Sequence, residues 1–127
     1  DNWGGYPDER REIANFIKEN NIPVSILSGD AHMVAIDDGT NSDYATGGGA
    51  PLPVFHAAPL DRFGTYKGGP YSAGYSARRS QYGLVEIFDE GGEEIRVRWT
   101  AKNYLDQVVQ NEEGEGITLE YTVKVRR

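Results

Sequence analysis

Apolar residues recur at helical spacing near the start of the chain. Ile13, Phe16 and Ile17 fall three or four positions apart within residues 7–20, which is the period of a helix with one apolar face. Pro7 suits an early helical position, because its missing N–H would have no partner there in any case. The pattern predicts one amphipathic helix.

Three short apolar stretches in the first half of the chain predict strands. Residues 24–28 are mostly apolar and end at a Gly-Asp pair, which is typical of a buried strand. Residues 34–36 and 54–58 predict two more short strands. A helix followed by a buried strand suggests one half of an α/β layer.

The last third of the chain has the clearest strand pattern. Residues 84–88 and 95–99 flank an Asp-Glu-Gly-Gly turn and predict a hairpin. From 117 to 125, apolar residues occupy alternate positions, so one face of a final strand is apolar. Trp99 lies on the apolar face of the hairpin and is expected in the core. The predicted fold is α/β (α+β), with one helix packed on a mostly antiparallel sheet.

A long segment between the predicted strands, residues 59–81, is rich in Gly, Tyr, Ser and Arg and has no period. Loops of this length are usually functional or disordered, and the tyrosines argue against disorder. Tyr71 and Tyr75 fit either the wall of a pocket or aromatic pins that hold the loop on the sheet. Arg78 and Arg79 could clamp a substrate phosphate, although paired arginines in a polar loop are more often solvated.

Composition excludes several classes of protein. The chain has 127 residues, a net charge of −7 and no cysteine, so it fits one compact domain without disulfides or thiolate zinc sites. Metal could bind only through histidine and carboxylate. The acidic balance argues against general binding to nucleic acid or anionic membranes, and no apolar run approaches the roughly 20 residues of a membrane span.

The chemically richest stretch is LSGDAH at residues 27–32. Asp30 offers an oxygen ligand and His32 a nitrogen ligand two residues later, on a turn that follows a strand. Loops at the carboxyl ends of strands are where α/β proteins bind ligands. A lone histidine in such a place is more often a hydrogen-bonded structural residue, so the stretch alone leaves both readings open.

Neighbouring stretches favour the metal reading. DNWGGYP at 1–7, with Glu9-Arg10 after it, and LSGDAH at 27–32, followed by GGPYS at 68–72 and QYGLVEI at 81–87, resemble the C-terminal part of the alkaline phosphatase D (PhoD-like) family of metallophosphoesterases. The resemblance covers most of the chain, but only the first two stretches are specific.

The resemblance implies a calcineurin-like two-sheet sandwich that hydrolyses phosphate monoesters or diesters at two divalent or trivalent metal ions. It implies that His32 is a metal ligand and that Asp30 either binds metal or orients a ligand. It also implies that Trp3 and Tyr6 lie near the mouth of the substrate pocket.

The inventory of ligands is too small for a complete site. Two metals need roughly six to eight protein ligands, whereas the chain has two histidines, His32 and His56, and His56 reads as a structural strand residue. We therefore expect residues 1–127 to be a single C-terminal segment of a larger phosphoesterase domain. Alone it would be inactive, hold no metal stably and self-associate through a face that the N-terminal remainder covers. Members of the family are often exported, which slightly favours an extracytoplasmic parent.

The alternative is a non-enzymatic, β-rich module that binds a protein partner or a glycan through the Gly/Tyr-rich loop 59–81, because tyrosines on adaptable loops make good contact surfaces. It predicts that His32 points into the core or has no role. The position of His32 relative to a cleft therefore separates the two hypotheses.

Overall fold

A computed structural model describes residues 3–125 as an α+β fold with one α-helix and two sheets. Asp1 and Asn2 of the DNWGGYP stretch lie outside the described residues. A 3-10 turn at Trp3–Gly5 precedes the helix. The elements are α1 (Pro7–Asn20), β1 (Ile26–Ser28), β2 (Val34–Asp37), β3 (Val54–His56), β4 (Tyr75–Ser76), β5 (Gln81–Asp89), β6 (Glu94–Asn103) and β7 (Thr118–Lys124).

The strands form two sheets instead of the single sheet that the sequence predicted. The first has the order β1-β3-β2-β4, in which β1 and β3 are parallel and the other pairs antiparallel. The second is the antiparallel meander β5-β6-β7, and it confirms the predicted hairpin and final strand. The alternating exposure along β7 matches its alternating sequence.

The core lies between the two sheets. Phe55 on β3 stacks on Trp99 on β6 with ring centroids 5.5 Å apart, and Tyr121 on β7 meets the same indole edge-on at 5.1 Å. Val34 and Ile36 on β2 belong to the same apolar cluster. Trp99 is only 1% exposed, which confirms its predicted place in the core.

The helix forms at the predicted residues but packs differently from the prediction. Its one buried residue, Ala14, packs on Ala45 and Ala50 of the loop between β2 and β3. Of the predicted apolar face, Ile17 is part buried against this cluster, whereas Ile13 and Phe16 are exposed, Phe16 to 58%. The helix therefore packs through Ala14 and Ile17 on a loop, and not on a sheet through the whole predicted face.

β1 is an edge strand, not the buried strand that the sequence predicted. It pairs only with β3 among the described strands, and Leu27 at its centre is 62% exposed. An apolar run predicts burial only when another element covers it, and nothing in the described residues covers this face.

No helix in the described range is long and apolar enough to cross a membrane.

Candidate functional site

A cleft of about 510 Å³ opens at the carboxyl end of β1. We call it the β1 cleft. Its walls combine polar and aromatic side chains from five parts of the chain: the N-terminal turn and α1, the end of β1 with the turn after it, the loop after β2, strand β3, and the loop between β3 and β4. They include Trp3, Arg10, Ser28, Asp30, Tyr44, His56, Lys67 and Tyr71. Three predicted site residues, Trp3, Asp30 and Tyr71, thus share one cleft.

Asp30 lies on the turn that directly follows β1. Its backbone adopts a positive φ of 74°, which aspartate tolerates better than most residues. The side chain is exposed, and its carboxylate accepts no hydrogen bond from any residue between 3 and 125. Both carboxylate oxygens are therefore available to a cation or a ligand.

His32 lies on the same turn but does not line the β1 cleft. The ring is part exposed, and Nδ1 is 3.2 Å from the carbonyl oxygen of Phe63. A carbonyl only accepts, so Nδ1 carries the proton and Nε2 of the neutral ring keeps its lone pair. A backbone partner on one nitrogen is how metal-ligating histidines are commonly oriented. His32 is therefore not buried in the core, and of its two ring nitrogens only Nδ1 has a hydrogen-bond partner among the described residues.

His56 has a structural role, as predicted. It is buried, with Nε2 2.7 Å from the carbonyl oxygen of Ala31 and Nδ1 2.8 Å from Oγ of Ser28. Nε2 donates to the carbonyl, so in the neutral ring Nδ1 accepts from the serine hydroxyl. Both ring nitrogens therefore have hydrogen-bond partners, and these bonds connect β3 to the turn that carries Asp30.

The remaining predicted site residues divide between the cleft and the outer surface. Trp3 lines the cleft and meets Tyr44 edge-on at 5.9 Å. Tyr71 lines the cleft and also pins the loop, because its hydroxyl donates to the carbonyl of Lys67 at 2.7 Å; burial raises the pKa of Tyr71. Tyr6, 60% exposed, and Arg78, also exposed, line no part of the cleft.

Sequence reasoning missed Arg10. Its guanidinium carbon lies 3.9 Å from the centre of the Tyr44 ring, in cation–π geometry. Its Nε is buried and has no hydrogen-bond partner in the described part of the chain. The spacing along the helix could have identified it. Arg10 is four residues before Ala14, so it lies on the buried face of α1 and not on the solvent face.

The described residues do not assemble a complete metal centre. No group of three or more His, Cys, Asp or Glu side chains that could hold an ion occurs within residues 3–125. Among these residues the ligand candidates are the exposed carboxylate of Asp30 and Nε2 of His32, the ring nitrogen that does not face the carbonyl of Phe63. Comparison of the chain with protein-family models, curated proteins and solved structures found no match.

Proposed function

We propose that this chain is the C-terminal part of a calcineurin-like, binuclear-metal phosphoesterase that hydrolyses phosphate monoesters or diesters. The observation that carries the proposal is the orientation of His32 by the carbonyl of Phe63, which leaves Nε2 as an acceptor at the protein surface. The two packed sheets are compatible with such a sandwich.

Asp30 and His32 fit a metal pair chemically, because carboxylate oxygen and imidazole nitrogen suit the hydrolytic metals. Two such ions supply charge stabilisation at the phosphoryl oxygens and activation of water. In this scheme the residues of the chain have three roles. His32 and Asp30 donate lone pairs, His56 holds the turn that carries Asp30, and Trp3 forms one wall of the β1 cleft.

The other ligands would come from the preceding part of the same polypeptide. Both ring nitrogens of His56 are committed, so His32 is the one available imidazole of the two in the sequence. The edge strand β1 offers a place for that part to bind, because no described strand pairs with its outer edge and Leu27 is exposed. Sheet edges in parallel arrangements are normally covered. We propose a strand of the N-terminal remainder as the occupant.

The test is metal content and hydrolysis in the complete product of the gene. Wild type is expected to bind two metal ions per chain and to hydrolyse p-nitrophenyl phosphate or bis-p-nitrophenyl phosphate. His32→Gln should lose metal and lower kcat/KM by more than about 100-fold, the upper range for residues outside the ligand set. Arg11→Gln is the matched control, because Arg11 pairs with Asp8 on the exposed side of α1.

Two outcomes would overturn the assignment. One is a complete gene product that binds no metal and hydrolyses neither ester. The other is a His32→Gln variant as active as Arg11→Gln. The 127-residue chain alone should turn over neither ester, because it lacks most of the ligands.

The second candidate function is a binding module that uses loop 59–81. One observation favours it: the rings of Tyr66 and Tyr75 contact each other in a tilted arrangement, with centroids 4.3 Å apart, beside a pocket of about 290 Å³ that Tyr71 also lines. In that case the gene product binds a protein or glycan through these tyrosines, and His32→Gln has no effect on binding.

A further inference from the structure

We propose that the β1 cleft binds a phosphate-type oxyanion through the guanidinium of Arg10. This inference deepens the proposed function: it rests on that function for the identity of the ligand as a phosphate ester, but not for the anion binding itself. Arg10 would be a binding residue for the charged group of the substrate.

The first argument is the unmet hydrogen-bonding capacity of Arg10. The guanidinium makes no hydrogen bond or ion pair with other described residues, and its Nε is buried without a partner. Buried polar groups in native proteins nearly always have partners, so an exception calls for a ligand or a water. A guanidinium has five N–H donors in a planar fork, which matches two oxygens of a phosphate.

The second argument is that the guanidinium is held in position. It lies over the Tyr44 ring at 3.9 Å, and Trp3 packs against the same ring at 5.9 Å. An arginine that is already ordered loses little conformational entropy when it binds a ligand. The two aromatic rings also lower the local dielectric constant, which strengthens the attraction between the guanidinium and an anion.

The third argument is charge. The whole chain carries a net charge of −7, yet among residues 3–125 the charged side chains that line the β1 cleft are Arg10, Lys67 and Asp30, two cations and one anion. A cationic cleft on an acidic protein concentrates anions locally. Its volume of about 510 Å³ lies within the usual range for small-molecule sites, so it has room for an organic group beside the phosphate.

The experiment is a titration of the ¹⁵N-labelled 127-residue chain with inorganic phosphate in EDTA at constant ionic strength. Two-dimensional NMR should show saturable shifts of the Arg10 Nε–H signal and of the backbone amides around Asp30 and Lys67. Arg10→Gln should weaken binding about tenfold or more, because a charge-assisted, bidentate contact is lost. Arg11→Gln, one residue away and paired with Asp8, should bind like wild type.

A second arm identifies the source of the phosphate group. Phenyl phosphate should bind more tightly than inorganic phosphate, because its ring can contact the aromatic walls formed by Trp3 and Tyr44. Equal affinities would overturn the assignment of the ligand as an ester.

The Arg10 Nε–H signal is measured in the wild-type chain, so the proposal can be tested even if Arg10→Gln does not fold. If the Arg10 Nε–H signal does not shift at saturating phosphate, or if Arg10→Gln and Arg11→Gln bind phosphate equally, the inference is wrong. EDTA removes metal from the measurement, so this result is independent of hydrolysis. Anion binding without activity would count against the phosphoesterase alone.

Discussion

The Asp37 carboxylate at the end of β2 accepts five hydrogen bonds from the two neighbouring loops. It is 1% exposed. One oxygen accepts from the backbone N–H groups of Gly39 and Asn41 and from the Ser42 hydroxyl at 2.9, 3.1 and 3.1 Å. The other accepts from the Asn41 amide at 2.7 Å and from the backbone N–H of Ser72 at 3.0 Å.

The isosteric change Asp37→Asn keeps the shape and replaces one acceptor oxygen by an NH₂ group. If the remaining oxygen keeps its three bonds, the new NH₂ faces two donors, on Asn41 and Ser72. The exposed Asn41 amide can turn to water, but the part-buried N–H of Ser72 cannot. An unsatisfied buried donor costs about 1–3 kcal/mol and the lost charge weakens the other bonds, so we expect about 2–4 kcal/mol of destabilisation.

Asp38→Asn is the matched control at the adjacent position. Its carboxylate is exposed and accepts both Thr40 bonds on a single oxygen, which asparagine can also do, so the cost should be below about 1 kcal/mol. Urea unfolding followed by far-UV circular dichroism measures both. Equal unfolding free energies for the two variants would refute the reasoning.

Three further predictions concern packing, pH and self-association. A Cβ on Gly83 would lie 2.7 Å from the Phe55 ring, whereas a Cβ on Gly92 would meet no described atom within 4 Å. Gly83→Ala should therefore lower the free energy of unfolding by about 1–3 kcal/mol, and the control Gly92→Ala should lower it much less. Urea unfolding measures both. Burial raises the pKa of Asp43, but backbone hydrogen bonds outweigh it and hold the pKa below 3.8. Its carboxylate therefore stabilises the fold above pH 3.8. In acid titrations, the difference in unfolding free energy between wild type and Asp43→Asn should shrink as pH falls through that lower pKa. A difference that does not change with pH would contradict this. Leu27→Lys should shift the 127-residue chain toward monomer in size-exclusion chromatography, and a wild type that is already monomeric would contradict the expected self-association through the β1 edge.

The parts of the fold that sequence predicted best are those whose residues alternate against a single core. In β7 and along β6 from Ile95 to Trp99, one face packs in the core and the other is more exposed, so the period of two in the sequence is also the period of burial. Such a pattern needs no knowledge of distant residues. β5 departs from this rule, because Ile87 is 67% exposed.

The errors came where burial depends on what lies opposite. Leu27 and Phe16 have the composition of buried positions, but no described element packs on them. The helix is buried instead through Ala14, a small residue that a search for large apolar side chains passes over. Sequence alone shows which face is apolar, not whether a partner covers it.

The site shows the same limit. The turn with Asp30 and His32 was recognisable from local chemistry, and Trp3 and Tyr71 line the β1 cleft beside Asp30. Arg10 was missed because its importance depends on Tyr44, which is 34 positions away and contacts it only through the fold. Likewise, the backbone N–H of Ser72 donates to the Asp37 carboxylate, and this contact between distant residues forms only through the fold.

The two tryptophans lie in different environments, and this gives the chain two optical reporters. Trp99 is enclosed between Phe55 and Tyr121 in the core, so its emission should be blue-shifted and resistant to acrylamide until the sheets separate. Trp3 is part exposed beside Tyr44 at the cleft, so its emission should be quenched readily and respond to a ligand. With Trp3→Phe, the remaining fluorescence would follow global unfolding alone, and the difference from wild type would isolate events at the cleft.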